Sequence, residues 1–507
     1  MFDLLGTGIV EIVQWKYLIP LVLGTLIGII GGALPGVTIT MTIIVVLPFT
    51  FGLDPLQGLS AMVGVYVGGE SGGLITACLL GIPGTPSAVA TTFDGFPMAR
   101  KGEPGRAVWL GVWASFFGGL IGGVFLIAAT TPLAKLALEF GPWEYFALFI
   151  LALSMVAGLV ETSIAKGLLS GAIGLVITII GTDPILGVPR LHFETDFLKS
   201  GFPFLPVLIG IFAFAQIMSE IEAMKPAGAV ANAVTAVPRL VVSHLQVIGE
   251  ILSRPILLAW SSVIGLIIGI LPAIGGSAAS MMAYDQAKKF SKHPEQFGTG
   301  IPEGIIASES SNNANVGGSL VTIMAFGIPG DAVTAVMLGA MTIHGIQSGP
   351  LFMLQQPALA YGIFAAYLVS LVVTVLIIAA TARYMLAITS VPKSILIPIV
   401  LVLCVIGAYA LNNTIGNVHV LLLWGVIGYL MVKGGLPLAP LILGVILGDQ
   451  IEINLIRAIQ TDSDPWLFVS RPISGGLLAL SAVSVFYALW QHHRQQRDAR
   501  HHGDADF

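Results

Sequence analysis

Residues 72–84 read GGLITACLLGIPG, and residues 318–330 read GSLVTIMAFGIPG. Seven of these 13 aligned positions are identical: Gly72/Gly318, Leu74/Leu320, Thr76/Thr322, Gly81/Gly327, Ile82/Ile328, Pro83/Pro329 and Gly84/Gly330. Upstream, IGIIGGALPG (27–36) matches IGLIIGILPA (264–273), each an apolar span ended by Leu-Pro. Self-similarity of this kind marks a duplicated structural unit. Both copies run in one order: span, Leu-Pro break, span, polar Gly/Ser stretch, apolar run, Gly-Ile-Pro-Gly, short helix.

Flanking charge says that the copies are inverted. The loop FGLDPLQG after the second span of the first copy has no basic residue, whereas its counterpart YDQAKKFSKHPEQFG carries Lys288, Lys289 and Lys292. FPMARKGEPGR (96–106), after the first short helix, has three basic residues, and its counterpart HGIQSGPLFMLQQP has none. Equivalent loops with opposite bias belong on opposite membrane faces. With the C-terminus inside, 16 Lys and Arg fall inside and six (Lys16, Lys135, Arg190, Lys199, Arg457, Arg471) outside, which places the N-terminus outside.

Composition agrees with a membrane chain. Of 507 residues 56% are hydrophobic and only 10% charged, against roughly a quarter charged in soluble domains. A soluble enzyme with such a surface would aggregate, a disordered chain needs the opposite balance, and the long apolar runs do not alternate as β-barrel strands do. The net charge of −5 gives no footprint for nucleic acid. Cys78 and Cys404 sit in apolar stretches and supply neither a disulfide framework nor a metal cluster. The expected fold is an all-α polytopic membrane protein with inverted structural repeats and broken or re-entrant helices, the latter at 56–99 and 302–345. Its expected parts are an amphipathic N-terminal segment (1–16), without a cleaved signal, a first membrane repeat region (17–220), a cytoplasmic connector (221–254), a second repeat region (255–448), an outer loop and last span (449–490), and a cytoplasmic tail (491–507).

Leu34, Pro35, Gly36, Gly81, Pro83, Leu271, Pro272, Gly327 and Pro329 are the expected helix-break residues, because proline removes a donor and glycine opens backbone conformations closed to others. A helix starting just after Gly84 or Gly330 presents unpaired N–H groups and a positive dipole end. Two such ends facing one cavity bind an anion without Lys or Arg, and 56–99 and 302–345 hold no basic residue before Arg100 and Arg383 respectively. The stretches GGESGG (68–73) and SESSNNANVGG (308–318) add hydroxyl and amide ligands. Expected substrate-binding residues are Ser71, Gly72, Gly84, Thr85, Ser87, Ser311, Asn312, Asn313, Asn315, Gly330 and Thr334.

Carboxylates at Glu70, Asp94, Glu303, Glu309 and Asp331 are costly within spans and are read as functional candidates. Glu70 and Glu309 are expected to neutralise a coupling cation, and Asp331 to serve as an N-cap. GESGG (69–73) resembles a serine-protease loop, but without His and Asp partners it is read as a helix break. His492, His493, His501 and His502 fit a solvated tail. No phosphate-binding loop is present.

GGALPGVT (31–38), GVYVGGESGGLITACLLGIPGTPSAVATTFDGFPMARKGEPGRA (64–107) and SLVTIMAFGIPGDAVTAVMLGA (319–340) together resemble the large permease of the tripartite tricarboxylate transporter (TctA) family, across roughly 17–440. The resemblance implies a bacterial inner-membrane permease that is not an enzyme. Its partners would be a small four-span membrane subunit (TctB-like) and a periplasmic solute-binding protein (TctC-like). Its substrate would be a di- or tricarboxylate, its coupling ion Na⁺ or H⁺, and it would need no cofactor. The motif positions carried over are Leu34–Pro35–Gly36, Gly81–Gly84, Gly327–Gly330 and the Ser/Asn stretch 308–315. Ala273 replaces the glycine of the second Leu-Pro-Gly. A passive anion channel and a membrane-embedded lipid-modifying enzyme are the alternatives from other classes.

Overall fold

The computed structural model describes residues 2–158, 163–183, 185–192, 194, 196–223, 240–272, 274–388 and 391–503. Lys225 and Arg239, two of the 16 basic residues counted as inside, and Ala273 lie outside the described residues. Helices α1 (Phe2–Ile12), α2 (Trp15–Ala33), α3 (Ile39–Val46), α4 (Pro55–Leu80), α5 (Val89–Arg100) and α6 (Pro104–Leu138) come first. They are followed by α7 (Pro142–Gly158), α8 (Ile164–Ile179), the hairpin of β1 (Gly181–Thr182) and β2 (Pro189–Arg190), α9 (Phe204–Leu208) and α10 (Ala215–Ala223). Next are α11 (His244–Leu252), α12 (Pro255–Ile270), α13 (Gly275–Phe290), α14 (Pro302–Phe326), α15 (Ala332–Ile343), α16 (Pro350–Gln355), α17 (Pro357–Ile388) and α18 (Lys393–Ala410). The chain ends with α19 (Ile415–Lys433), α20 (Leu438–Thr461), α21 (Leu467–Ser470) and α22 (Pro472–Gly503). Among the described residues nine helices are long and apolar enough to cross a membrane, and α11 with α12, bent by 78°, gives a tenth candidate. The protein is an all-α polytopic membrane protein.

The chain forms two compact units. One comprises Met1–Lys135, Ile217–Ile270 and Ile274–Asn413, and so holds both copies of the duplicated motif. The other comprises Leu136–Gln216, Leu271–Ala273 and Thr414–Phe507. Inside the second, α8 and α20 cross where Gly174 meets the Leu441 carbonyl and Gly444 meets the Gly171 carbonyl. Arg471 pairs with Glu144 at 2.6 Å, and Arg190 with Asp183 at 3.4 Å.

In the first unit the repeat is legible as a register of glycines. α2 runs beside α4 so that a Cβ at Gly24, Gly28 or Gly32 would strike the carbonyl oxygens of Ala61, Val65 and Gly69. Both partners advance four residues at a time, so the two helices are parallel. Lys16 and Asp54, paired at 2.6 Å, mark their common starting face. α12 and α14 repeat the geometry: a Cβ at Gly265 or Gly269 would strike the carbonyls of Ser311 and Asn315. Small residues let membrane helices approach to backbone contact, where dispersion and backbone packing replace the missing hydrophobic drive.

The copies are inverted relative to each other. On α4, Tyr66 converges with Ser319 of α14 on one Asp331 carboxylate oxygen, while five residues later Ser71 hydrogen-bonds Asn313. Rising numbers on α4 meet falling numbers on α14, so these equivalent helices are antiparallel. The short helices reach across: α5 packs on α13 and α14 of the second copy as well as on its own α4, and α15 packs on α3 and α4 of the first copy as well as on its own α14.

GGESGG is not a break. α4 runs unbroken from Pro55 to Leu80 and α14 from Pro302 to Phe326, with both polar stretches helical and buried. The reason is physical: a buried backbone in lipid must satisfy its own hydrogen bonds, which the helix does. The glycines there serve close approach instead, Gly68 to Thr25, Gly69 to Ile39 and Gly72 to Ile29. The helices end where the repeated Gly-Ile-Pro-Gly begins. Gly81 (φ 68°) and Gly327 (φ 73°) are left-handed caps, a conformation glycine adopts without penalty. The proline two residues on cannot extend the helix. α2 likewise ends before Leu34–Pro35–Gly36, and α12 before Leu271–Pro272.

Candidate functional site

After each cap the chain folds back so that a Cβ at Gly84 would strike the Gly32 carbonyl, and one at Gly330 the Gly269 carbonyl. Each returning tip is therefore pinned at the glycine crossing of its own copy. Gly72, Gly84 and Gly330, expected to touch substrate, are taken up by this packing.

The two tips reach α4 one turn apart. Ser87, beyond the first tip, donates to Glu70 at 2.5 Å. Asp331, at the second, accepts from Tyr66. Tyr66 and Glu70 are four residues apart, about 6 Å along the helix. The start of α13 closes the same place: a Cβ at Gly275 would lie 3.5 Å from Asp331, and one at Gly276 3.2 Å from the Glu70 carboxylate. Glu70 is the sixteenth residue of α4, roughly 22 Å along the helix from its start, and it is buried.

The tips differ in chemistry. Thr85 begins the first as an N-cap whose side chain makes no capping bond; its hydroxyl shares a 3.0 Å hydrogen bond with Ser87. Asp331 begins the second and closes a capping box. Its Oδ1 accepts from the Thr334 amide and hydroxyl, each at 2.8 Å. The Asp331 amide in turn donates to Thr334 Oγ1 at 2.9 Å. Thr334 is thus committed to the cap, and its amide, the third of the second helix, is already occupied.

The polar face of α14 divides in the same manner. Ser311 donates to the Ala279 carbonyl at 2.9 Å, tying α14 to α13. Asn313 donates to the Asn312 side-chain oxygen at 2.6 Å and accepts from Ser71 at 3.2 Å. Asn315 is fully buried, and neither atom of its amide has a hydrogen-bond partner among the described residues. It lies one turn from Ser311 and one turn from Ser319, which reaches Asp331 at 3.4 Å. An unpaired buried amide costs about 1–3 kcal/mol, so Asn315 has spare capacity for a ligand.

The carboxylates play unequal parts. Glu309 is fully buried and saturated, accepting from Thr91 at 2.5 Å, Ser115 at 2.9 Å and Asn312 at 3.4 Å. It joins α5, α6 and α14. Asp94 accepts from the Gly298, Gly300 and Ile301 amides at 3.0, 2.7 and 3.0 Å and from the Tyr284 hydroxyl at 2.9 Å. It caps α14 from the other copy, at a helix start whose own N-cap, Ile301, makes no side-chain bond. Glu303 pairs with Arg254 at 2.7 Å on a partly exposed edge. Glu70 has one side-chain donor, Ser87, and stands at the tips. Nothing in a glycine-rich apolar run marks Tyr66 or Ser319 as a partner of Asp331. A shallow cleft beside the first Leu-Pro-Gly break is lined by Pro35, Gly36, Met41, Glu220 and Lys393, among others, and there Lys393 pairs with Glu220 at 2.5 Å.

The profile of the tripartite tricarboxylate transporter TctA family matches residues 18–443, which span both copies and the site. An Agrobacterium vitis protein described as an uncharacterized 52.8 kDa protein in the TAR-I ttuC' 3' region is 35% identical over 481 residues, covering 94% of this chain and 93% of that one. A second from the same organism, an uncharacterized protein in the TAR-II ttuC' 3' region, is 35% identical over 235 residues, 46% of this chain and 97% of its own length. No solved structure matches. A family match over both repeats, on a chain whose buried polar centre is built by those repeats, identifies it as a member of the tripartite tricarboxylate transporter TctA family, a transporter permease.

Proposed function

We propose that the chain is the large membrane permease subunit of a binding-protein-dependent, ion-gradient-driven importer of di- or tricarboxylates. In this reading it lies in the bacterial inner membrane, N-terminus periplasmic and C-terminus cytoplasmic. A periplasmic solute-binding protein delivers the anion, and a small four-span subunit completes the complex. The first tip holds a substrate carboxylate with the Ser87 amide and the hydroxyls of Thr85 and Ser87. Asn315 supplies a further donor. Glu70 lies against Ser87, so an arriving anion meets a like charge. Binding of Na⁺ or H⁺ at Glu70 removes that repulsion, and through it the ion gradient is coupled to uptake. The backbone carbonyls freed at the breaks are oxygen ligands suited to a Na⁺ ion.

The observation that carries this reading is the meeting of both tips within one turn of α4, at Tyr66 and Glu70. Labelled carboxylate uptake into vesicles holding the complete system tests it. Wild-type uptake should need the binding protein and a Na⁺ or proton gradient. Ser87→Ala and Asn315→Ala should lower it at least ten-fold at unchanged membrane abundance. Absence of any carboxylate uptake by the wild type refutes the importer, and full-rate uptake by both variants refutes the site.

A further inference from the structure

The alignment of 72–84 with 318–330 extends one residue further, to Thr85 and Asp331. At this equivalent position one copy carries a neutral hydroxyl and the other a carboxylate. Asp331 is 7% exposed. Its Oδ1 takes the Thr334 amide and hydroxyl, and its Oδ2 takes Tyr66 and Ser319. A substrate carboxylate at the second tip would have to compete with Asp331 for these donors. The charged or titratable groups packed around Asp331 are Tyr66 and Glu70 of α4; Ser319, Thr334 and Gly275 are the neutral neighbours from α14, α15 and α13. The sequence of both hairpins places no Lys or Arg there to cancel its charge.

We propose that Asp331 is a specificity-determining residue: it fills the second tip with a fixed protein carboxylate, leaves the first tip as the one place for a substrate carboxylate, and by repulsion disfavours anions bearing further charges. The proposal rests on the carboxylate-importer reading. It differs from a purely structural cap in what it predicts, because asparagine caps a helix as well as aspartate does and has nearly the same shape. A cap alone is indifferent to that exchange, whereas a charge filter is not.

The experiment is competition for labelled uptake by propionate, succinate and tricarballylate in vesicles, with the same binding protein and small subunit throughout so that their own selectivity cancels. For Asp331→Asn the ratio of half-inhibitory concentrations, succinate over tricarballylate, should rise at least ten-fold relative to wild type, while propionate changes little. Asp331→Ser, also a capping residue, should move the ratio the same way and provides the test if the asparagine variant does not fold. An unchanged ratio in a transporting variant overturns the proposal. A wild type that takes up no carboxylate overturns the importer reading, and the two failures are distinguishable because the first needs working transport to be seen.

Discussion

The two hairpin tips share a backbone and differ in chemistry. Both leave a long buried helix through a left-handed glycine, at φ 68° and 73°, and both return to lie on a glycine carbonyl of the parallel helix of the same copy, Gly32 of α2 or Gly269 of α12. Yet the first presents Thr85 and Ser87 beside Glu70, and the second seals itself with Asp331 and Thr334. Main-chain packing fixes where a tip goes, and one side chain fixes whether its donors are available. A duplicated fold can thus keep its symmetry in the glycines while losing it at the ligand.

The shared half of the comparison carries the largest expected effect. Gly28 and Gly265 are equivalent, and a side chain at either meets the carbonyl of Val65 or Ser311. Gly28→Leu and Gly265→Leu should each destabilise the protein by about 3 kcal/mol or more, since the neighbour is backbone and can give only by parting the helices. Size-exclusion and thermal unfolding of the purified protein should show both variants aggregated or melting far below wild type. A harmless substitution in one copy beside a ruinous one in the other would break the equivalence of the two crossings.

The differing half can be sharpened by making the first tip resemble the second. Thr85→Asp places a carboxylate at the N-cap of the turn that leads into α5, where it can take the Ser87 amide. Uptake should fall to background, with the protein still assembled and folded, because the remaining helix end is then filled as Asp331 fills its own. Thr85→Ser should keep most of the activity. Transport by Thr85→Asp at the wild-type rate would show that the substrate does not use this helix end.

Much of the architecture was open to reading from the sequence, because the signals that carry it are local. Gly-Ile-Pro-Gly and Leu-Pro mark breaks through the φ of glycine and the missing donor of proline, and their duplication gives the inverted pair. The polar stretches were less transparent. GESGG contains residues that favour turns in water, but with glycine-mediated helix contacts on its flanks it remains helical. The division of labour among the carboxylates was not legible either. Glu309, Asp94 and Glu70 look alike in the chain, and only long-range partners separate them: Ser115 for the first, the Gly298–Ile301 amides for the second, Ser87 for the third. Tyr66 gave no local signal, since its partner Asp331 lies 265 residues away.

The smallest effect is the most direct measure of the difference. Asp331→Ala removes a cap worth about 1 kcal/mol and leaves the buried Tyr66 hydroxyl without its carboxylate, a further loss of about 1–3 kcal/mol. Thr85→Ala removes no capping bond and gives up one hydrogen bond to Ser87, which keeps its bond to Glu70; about 1 kcal/mol or less is expected. Unfolding of the two alanine variants under identical conditions should therefore rank Asp331→Ala as the costlier by at least about 1 kcal/mol. Uptake should rank them in the opposite order, with Thr85→Ala the more impaired, if its hydroxyl serves the substrate as proposed rather than the helix it precedes. If both measurements rank the pair the same way, the second tip serves transport as much as the first, and the asymmetry between Thr85 and Asp331 is one of stability alone.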